Sequence, residues 1–277
     1  MMHSHPPRPH TSLAWAVLVP IAAGSGCSEP GVQMTLRPEP GLLMRHVAER
    51  VLQDFPTSPP FDWGEGTMMA GMMRAGLTLN EPRYIAFVQK WADHWRTAGL
   101  QRVLDGPANA SIRSYCGHWG PGLPVILLYE TTHNPAYLDM CRQIASFVMT
   151  KATRTPERGL GHWGGNQQLW VDTLYMVCPL FSHLNRLTSD SSYMREAVQQ
   201  LEIYARRTQD EQTGLFWHMY DDPAKNCMGV LWGRGNGWVA MSFVEVLGNL
   251  DRHSPEFTQI LGRFRRQMDG LLDVRDT

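Results

Sequence analysis

The chain has 277 residues, 43% of them hydrophobic, and a formal net charge of −1. That length suits one large domain or two ordinary ones, and the hydrophobic content excludes a disordered chain. The small charge provides no field to gather nucleic acid or an anionic membrane. None of the five cysteines forms a C-x-x-C pair, so a zinc site is not expected, and no cofactor motif is found. Ten tryptophans favour a sugar-type or aromatic-lined pocket, although Trp also fills large cores.

Residues Leu13 to Ala23 form a short apolar run behind Arg8 and several histidines. The run is too short to span a bilayer comfortably and has the form of a secretory h-region. Gly24-Ser25-Gly26-Cys27 follows, resembling a bacterial lipoprotein cleavage site with Gly24 where an aliphatic residue is usual. Residues 1–27 therefore read as a signal peptide or lipoprotein leader, with Cys27 a candidate lipid anchor. The protein is expected to be exported: periplasmic, membrane-anchored or secreted. A disordered leader is the competing reading. Residues 28–40, rich in Pro, Gly and Glu, read as a linker, and 41–277 as the folded domain.

From Gly41 onward, apolar residues recur with i, i+3, i+4 spacing and almost no strand-like alternation. Helices are predicted over 41–54, 66–79, 82–97, 121–131, 135–151, 171–187, 191–207, 237–250 and 255–272. Cys141 and Cys178 fall within apolar helical runs and read as core. A short signature separates pairs of helices: Asn80-Glu81-Pro82, Asn134-Pro135, Asp190-Ser191 and, more weakly, Ser254-Pro255. Asn80, Asn134, Asp190 and Ser254 are N-cap types, and the prolines sit where a first helical turn tolerates them. An aromatic (Tyr84, Tyr137, Tyr193 or Phe257) follows and is expected on the buried face.

The signature returns every ~55–65 residues, the period of a helix pair plus a variable loop. The longer loops, 100–119, 152–169 and 210–231, carry Trp, His, Arg and Asp, whereas the turns within pairs are short. Functional side chains at one phase of a repeat imply one decorated face. The expectation is an all-α fold of the (α/α)6-barrel type, a toroid of helical hairpins with its site at the mouth. An open solenoid is the rival shape.

Each of these loops pairs His with Trp. The first holds Tyr115-Cys116-Gly117-His118-Trp119, with His118 expected to face the mouth. The second runs through His162-Trp163 to Trp170-Val171-Asp172. Two readings of Asp172 stay open. It is a favoured N-cap type. Alternatively, walled by Trp163 and Trp170, its carboxyl holds a proton and acts as a general acid. The third loop contains Trp217-His218, where His218 is placed to bond sugar hydroxyls or that carboxyl. Asp105, Asp221 and Asp222 read as solvated loop charges. Leu231-Trp232-Gly233-Arg234-Gly235-Asn236-Gly237-Trp238 reads as a glycine-rich loop feeding a helix. Trp stacks on a flat ring and Arg forks onto a carboxylate. No G-x-S-x-G elbow, P-loop or H-E-x-x-H is present.

Taken together, Leu169-Trp170-Val171-Asp172-Thr173-Leu174-Tyr175-Met176 and the stretch Leu231 to Trp238 resemble glycoside hydrolase family 105. These are the unsaturated rhamnogalacturonyl hydrolases, similar in turn to the unsaturated glucuronyl hydrolases. The resemblance extends from about Gly41 to the end and implies an (α/α)6 barrel. It also implies hydrolysis of lyase-generated oligosaccharides at a non-reducing uronic acid with a C4=C5 double bond. The family's catalytic acid falls on Asp172, Trp232, Arg234 and Trp238 match positions lining the sugar site, and His218 matches a histidine in the loop after the seventh helix. His162 stands for the family histidine ahead of the acid, shifted by about one residue.

Two departures follow. The family usually has a second acidic residue where this chain reads Gly117-His118-Trp119. Nine predicted helices also fall short of the twelve in a closed ring, so a fragment, incomplete at the C-terminus, or an open ring is expected. The competing functions are an inverting α/α-barrel glycosidase, which needs a second carboxylate, and a truncated or inactive relative that only binds sugars.

Overall fold

The amphipathic pattern folds as helical hairpins. The computed structural model describes residues 39–56, 59–106 and 114–275. The leader, Cys27 and nearly all of the linker lie outside the described residues. The helices are α1 (Pro40–Asp54), α2 (Trp63–Thr78), α3 (Pro82–Ala98), α4 (Gln101–Asp105), α5 (Gly122–Thr132), α6 (Pro135–Thr150), α7 (Asp172–Thr188), α8 (Ser191–Thr208), α9 (Gly233–Asn249) and α10 (Pro255–Asp273). The nine predicted helices are all present, their ends mostly within a residue or two. The short α4 and a 3-10 turn at Cys116–His118 were not anticipated.

Helices α2, α5, α7 and α9 pack side by side in that order, each backed by its hairpin partner α3, α6, α8 or α10. Helix α7 is at the centre. Every residue from Thr173 to Leu184 is buried, as expected of a helix that is apolar all round. Cys141 and Cys178 are core residues.

The hairpin turns obey one rule. Asn80, His133 and Ser189 all take left-handed backbone conformations, with φ of 51°, 56° and 58°. Each closes one helix before the next begins. The N-cap reading holds for Asn134, Asp190 and Ser254, whose side chains accept from Ala136 N, Ser192 N and Phe257 N. It fails for Asn80, because Glu81 is the N-cap of α3 and Asn80 is the left-handed residue before it. Tyr84 and Tyr137 are fully buried, whereas Tyr193 and Phe257 are only half-buried.

The loops contain strands that were not expected. β1 (Gln168–Trp170), β2 (Met219–Asp221) and β3 (Asn226–Met228) form an antiparallel sheet in that order. Leu169 faces Tyr220, and Tyr220 faces Cys227. Strands of three residues are too short for alternation to be legible. The sheet ties the second loop to the third. It also removes Asp222 from solvent: this residue is 4% exposed and pairs with Lys225 at 2.9 Å. Asp221 accepts from Gln168 Nε2 at 2.7 Å and Asp105 lies 3.7 Å from Lys151, and both keep the solvent that Asp222 loses.

A charged cluster joins the four central helices toward the C-terminal end of α7. His183 of α7 contacts Glu130 of α5 through Nδ1 at 2.6 Å and Glu245 of α9 through Nε2 at 3.2 Å. Arg186 pairs with Glu130, and Arg74 of α2 pairs with Glu245. Burial alone would lower the His183 pKa, but the hydrogen bonds to both carboxylates outweigh it and raise it. Burial pushes Glu130 and Glu245 up, and their His and Arg partners pull both below the ordinary range.

The pH consequence follows from linkage. The raised imidazole contributes fully below its ordinary 6.5, and this is lost as pH rises through its folded value. The lowered carboxylates contribute above their ordinary 4.5, and this is lost as pH falls through their folded values. The stability gap between wild type and His183→Gln should therefore be largest between these two values. Its expected size is about 1.5–3 kcal/mol, the worth of hydrogen bonds to charged groups. Thermal melts from pH 4 to 9 check this, and a gap independent of pH would disprove it.

Candidate functional site

The three long loops meet above the N-terminal ends of α7 and α9 and enclose a cavity of about 260 Å³. That is below the ~300–1,000 Å³ of sites for drug-sized ligands, so it suits one ring-sized group. Six of the expected residues line it: His162, Trp170, Asp172, His218, Trp232 and Arg234. Trp63, Tyr115 and Met176 also line it and were missed. Trp63 lies at the start of α2, far from any motif in sequence. Met176 follows Asp172 by one helical turn, a spacing that could have found it.

Asp172 is not the N-cap of α7. Val171 occupies that position, and no side chain caps the helix. Asp172 Oδ2 is buried without a hydrogen-bond partner, and His218 Nε2 lies 3.6 Å away. Burial raises the Asp172 pKa above the ordinary carboxylate value, opposed by its own backbone N–H and by the charges of His218 and Arg234. The outcome is a carboxyl biased toward holding its proton.

His218 is held on three sides. Its backbone accepts from Val171 N at 3.1 Å and donates to Val230 O at 3.0 Å. Its ring meets Trp170 edge-on at 4.7 Å and Trp232 at 4.5 Å. Gly229, with φ of 86°, makes the turn that brings this strand back past the His218 Cβ. Arg234 stacks on Trp232 at 4.2 Å and lies 5.6 Å from the Trp63 ring. A guanidinium held by its face keeps its N–H edge for an anion.

The glycine-rich stretch is not a loop. Helix α9 starts at Gly233, so Gly233, Gly235 and Gly237 form its first turns, and none has positive φ. Only Gly235 is sterically required. A Cβ there would lie 2.9 Å from Trp232 Cε3 and 3.1 Å from Val171 Cγ2. The lack of a side chain lets the start of α9 pack on the start of α7. Asn236 is structural: it accepts from Phe216 N at 2.8 Å and donates to Phe216 O at 3.0 Å, pinning the third loop to α9.

Two expected residues stand outside the lining. Trp238 is buried behind it, stacked on Tyr175 at 5.0 Å and edge-on to Trp63 at 6.2 Å. His118 meets the Tyr115 ring edge-on, and its Nδ1 is buried without a partner. His118 is not among the lining residues, whereas Cys116 and Gly117 of the same 3-10 turn are. At Gly117, a Cβ would fall 2.5 Å from Asp62 Oδ1. The Asp62 carboxylate thus occupies the space where a side chain at 117 would begin.

Comparison with known proteins agrees with this fold. The model of Glycosyl Hydrolase Family 88 matches residues 39–277. The unsaturated rhamnogalacturonyl hydrolase YesR of Bacillus subtilis (strain 168) is 27% identical over 224 residues, covering 78% of this chain and 62% of that protein. An unsaturated 3S-rhamnoglycuronyl hydrolase of Alteromonas sp. (strain LOR) is 28% identical over 123 residues, covering 42% of this chain and 30% of that protein. A family 105 glycoside hydrolase structure from C. acetobutylicum ATCC 824 superposes with a TM-score of 0.73 at 18% identity, covering 86% of this chain and 66% of that one. The chain thus spans a little under two thirds of these two longer matches. With its α/α-barrel architecture and a family model matched from residue 39 to the end, the chain belongs to Glycosyl Hydrolase Family 88.

Proposed function

We propose that this chain hydrolyses the glycosidic bond of an unsaturated uronic acid at the non-reducing end of lyase-generated oligosaccharides, such as rhamnogalacturonan fragments. The observation that carries this reading is the buried, unpartnered Asp172 Oδ2 in a ring-sized cavity beside an aromatic-stacked Arg234. The similarity to YesR supports the substrate class.

The chemistry needs one acid/base carboxyl. Protonated Asp172 donates to C4 of the vinyl ether, and charge develops at C5. Water adds at C5, and its proton returns to Asp172. The hemiketal opens and releases the aglycone. Arg234 holds the uronate carboxylate by its free N–H edge, and the tryptophans cover the ring faces. His218 hydrogen-bonds the substrate or the Asp172 carboxyl. The sequence motif of the leader supports export as the setting, with Cys27 as a lipid attachment point.

The first experiment incubates the purified protein with unsaturated disaccharides from lyase digests of rhamnogalacturonan and of glycosaminoglycan, and follows the C4=C5 absorbance. Loss of absorbance with release of the neutral or amino sugar is the expected result. A folded protein that consumes none of them would favour a sugar-binding role. Asp172→Asn should lower turnover by ~10²–10⁴-fold, the usual share of a general acid–base group, while the melt stays close to wild type. Retention of more than about a hundredth of the rate would remove Asp172 as the acid. Arg234→Ala should raise KM roughly tenfold to a hundredfold, one charge-assisted contact, with a smaller change in kcat. An unchanged KM would exclude the carboxylate-binding role. Because the acid must carry its proton, kcat/KM should fall as pH rises through the raised Asp172 pKa. A profile flat on the alkaline side would contradict that assignment.

A further inference from the structure

At the cavity wall, two hydrogen-bond donors, Cys116 of the lining and Thr173 behind it, converge on one ring nitrogen. Thr173 Oγ1 lies 3.0 Å from His162 Nδ1, and Cys116 Sγ lies 3.2 Å from the same atom. Thr173 Oγ1 is also 3.6 Å from Cys116 Sγ. All three residues are buried, and Cys116 N donates to His162 O at 2.9 Å, which fixes the two loops together. Thr173 directly follows Asp172 on α7, so the cluster is joined to the candidate acid through the backbone.

The hydroxyl carries a hydrogen, and so does the thiol, because burial pushes the Cys116 pKa up. Tyr204, whose hydroxyl donates to Leu160 O at 2.6 Å, also lies beside Thr173 and can accept from it, so a hydrogen on Nδ1 would leave the Cys116 S–H as the one hydrogen facing a donor with no acceptor. With Nδ1 unprotonated, the hydroxyl or the thiol donates to it, and the other hydrogen has sulfur or oxygen to accept it. Burial, and after it the charge of His218 across the cavity, drive the His162 pKa down to about 3, so the neutral ring carries a single N–H. His162 lines the cavity between Trp163 and Trp170, with ring centroids 4.8 and 5.3 Å away. Its Nδ1 side is taken up by Thr173 and Cys116, which leaves Nε2 as the nitrogen available to a ligand.

We propose that Cys116 and Thr173 are positioning residues that hold His162 in one tautomer, so that it offers Nε2–H to the cavity as a permanent donor. The identity of its acceptor, a hydroxyl or carboxylate oxygen of the unsaturated sugar, rests on the uronyl-hydrolase reading above. The wiring of the ring does not. A histidine near its ordinary pKa would gain and lose charge across neutral pH. This one presents the same neutral donor throughout.

The test has two independent readouts. Nitrogen NMR of histidine-labelled protein should show His162 neutral from pH 5 to 8, with Nδ1 unprotonated and Nε2 protonated. A protonated Nδ1, or a titration midpoint near 6.5, would overturn the proposal. Thr173→Val with Cys116→Ala removes both donors and should mix the tautomers. With the unsaturated rhamnogalacturonan disaccharide as probe, KM should rise about two- to fivefold, the inverse of the fraction left in the Nε2–H tautomer, while kcat changes less. Changing Cys116 to Ser in place of Ala restores a donor and should return both tautomer and KM toward wild type. A double variant with wild-type tautomer and KM would refute the wiring. His162→Gln, whose amide N–H reaches the Nε2 position, should retain more affinity than His162→Asn. If the wild-type protein turns over no unsaturated disaccharide, the uronyl-hydrolase reading fails, and the NMR measurement still decides the tautomer.

Discussion

Asp172 keeps an unpartnered carboxylate oxygen because the helix it opens is buried on every side. From Thr173 to Leu184, α7 offers no face to water. Its first turn is closed in by β1 before it and by the start of α9 beside it, where Gly235 permits contact with Val171. A carboxylate in water would be hydrated at both oxygens. Here one oxygen loses that hydration and has only a distant His218 in exchange. Desolvation without compensation favours the neutral acid, which is the form a proton donor needs. The packing of α7 is thus a structural fact with a chemical consequence at its first residue.

The same helix carries an opposite arrangement at its other end. There His183 has a carboxylate on each ring nitrogen, and two arginines complete the cluster. Those charges are paired and join α2, α5, α7 and α9. At the mouth the polar groups are left incompletely paired, and the walls are aromatic. One end of the hairpin array thus holds charge in balanced pairs, and the other keeps polar groups free for a ligand.

Loop positions at the mouth are set by short-range devices. The small sheet pairs Leu169 with Tyr220 and so carries Trp170 toward His218. Asn236 grips the backbone of Phe216 from both sides. The Cys116 to His162 backbone bond ties the first loop to the second. None of these contacts touches a ligand directly, yet together they set the separation of Asp172, His218 and Arg234. On the proposed acid–base reading little displacement is tolerated, so such contacts would matter as much as the lining does.

The hairpin architecture was legible in the chain because helical periodicity and capping are local properties. Asn134, Asp190 and Ser254 mark helix starts by their own side chains, and Trp170, Asp172, Trp232 and Arg234 of the lining could be read from two motifs. Other features depended on contacts between distant segments. The sheet was invisible because three-residue strands carry no period, and Asn80 was misread because both caps and left-handed turns accept asparagine. His118 and Trp238 have the residue types of a sugar site but stand outside the lining, His118 in the 3-10 turn and Trp238 stacked on Tyr175. Trp63 joined the site from the start of α2. Whether Asp172 capped a helix or stood as a buried acid was likewise undecided in one dimension, since the residue type serves both. Sequence alone determined which segments are helices and which side chains are equipped for the chemistry. Only the tertiary structure decided which of them face the cavity and how much water they keep, because burial is a property of the neighbours a residue acquires.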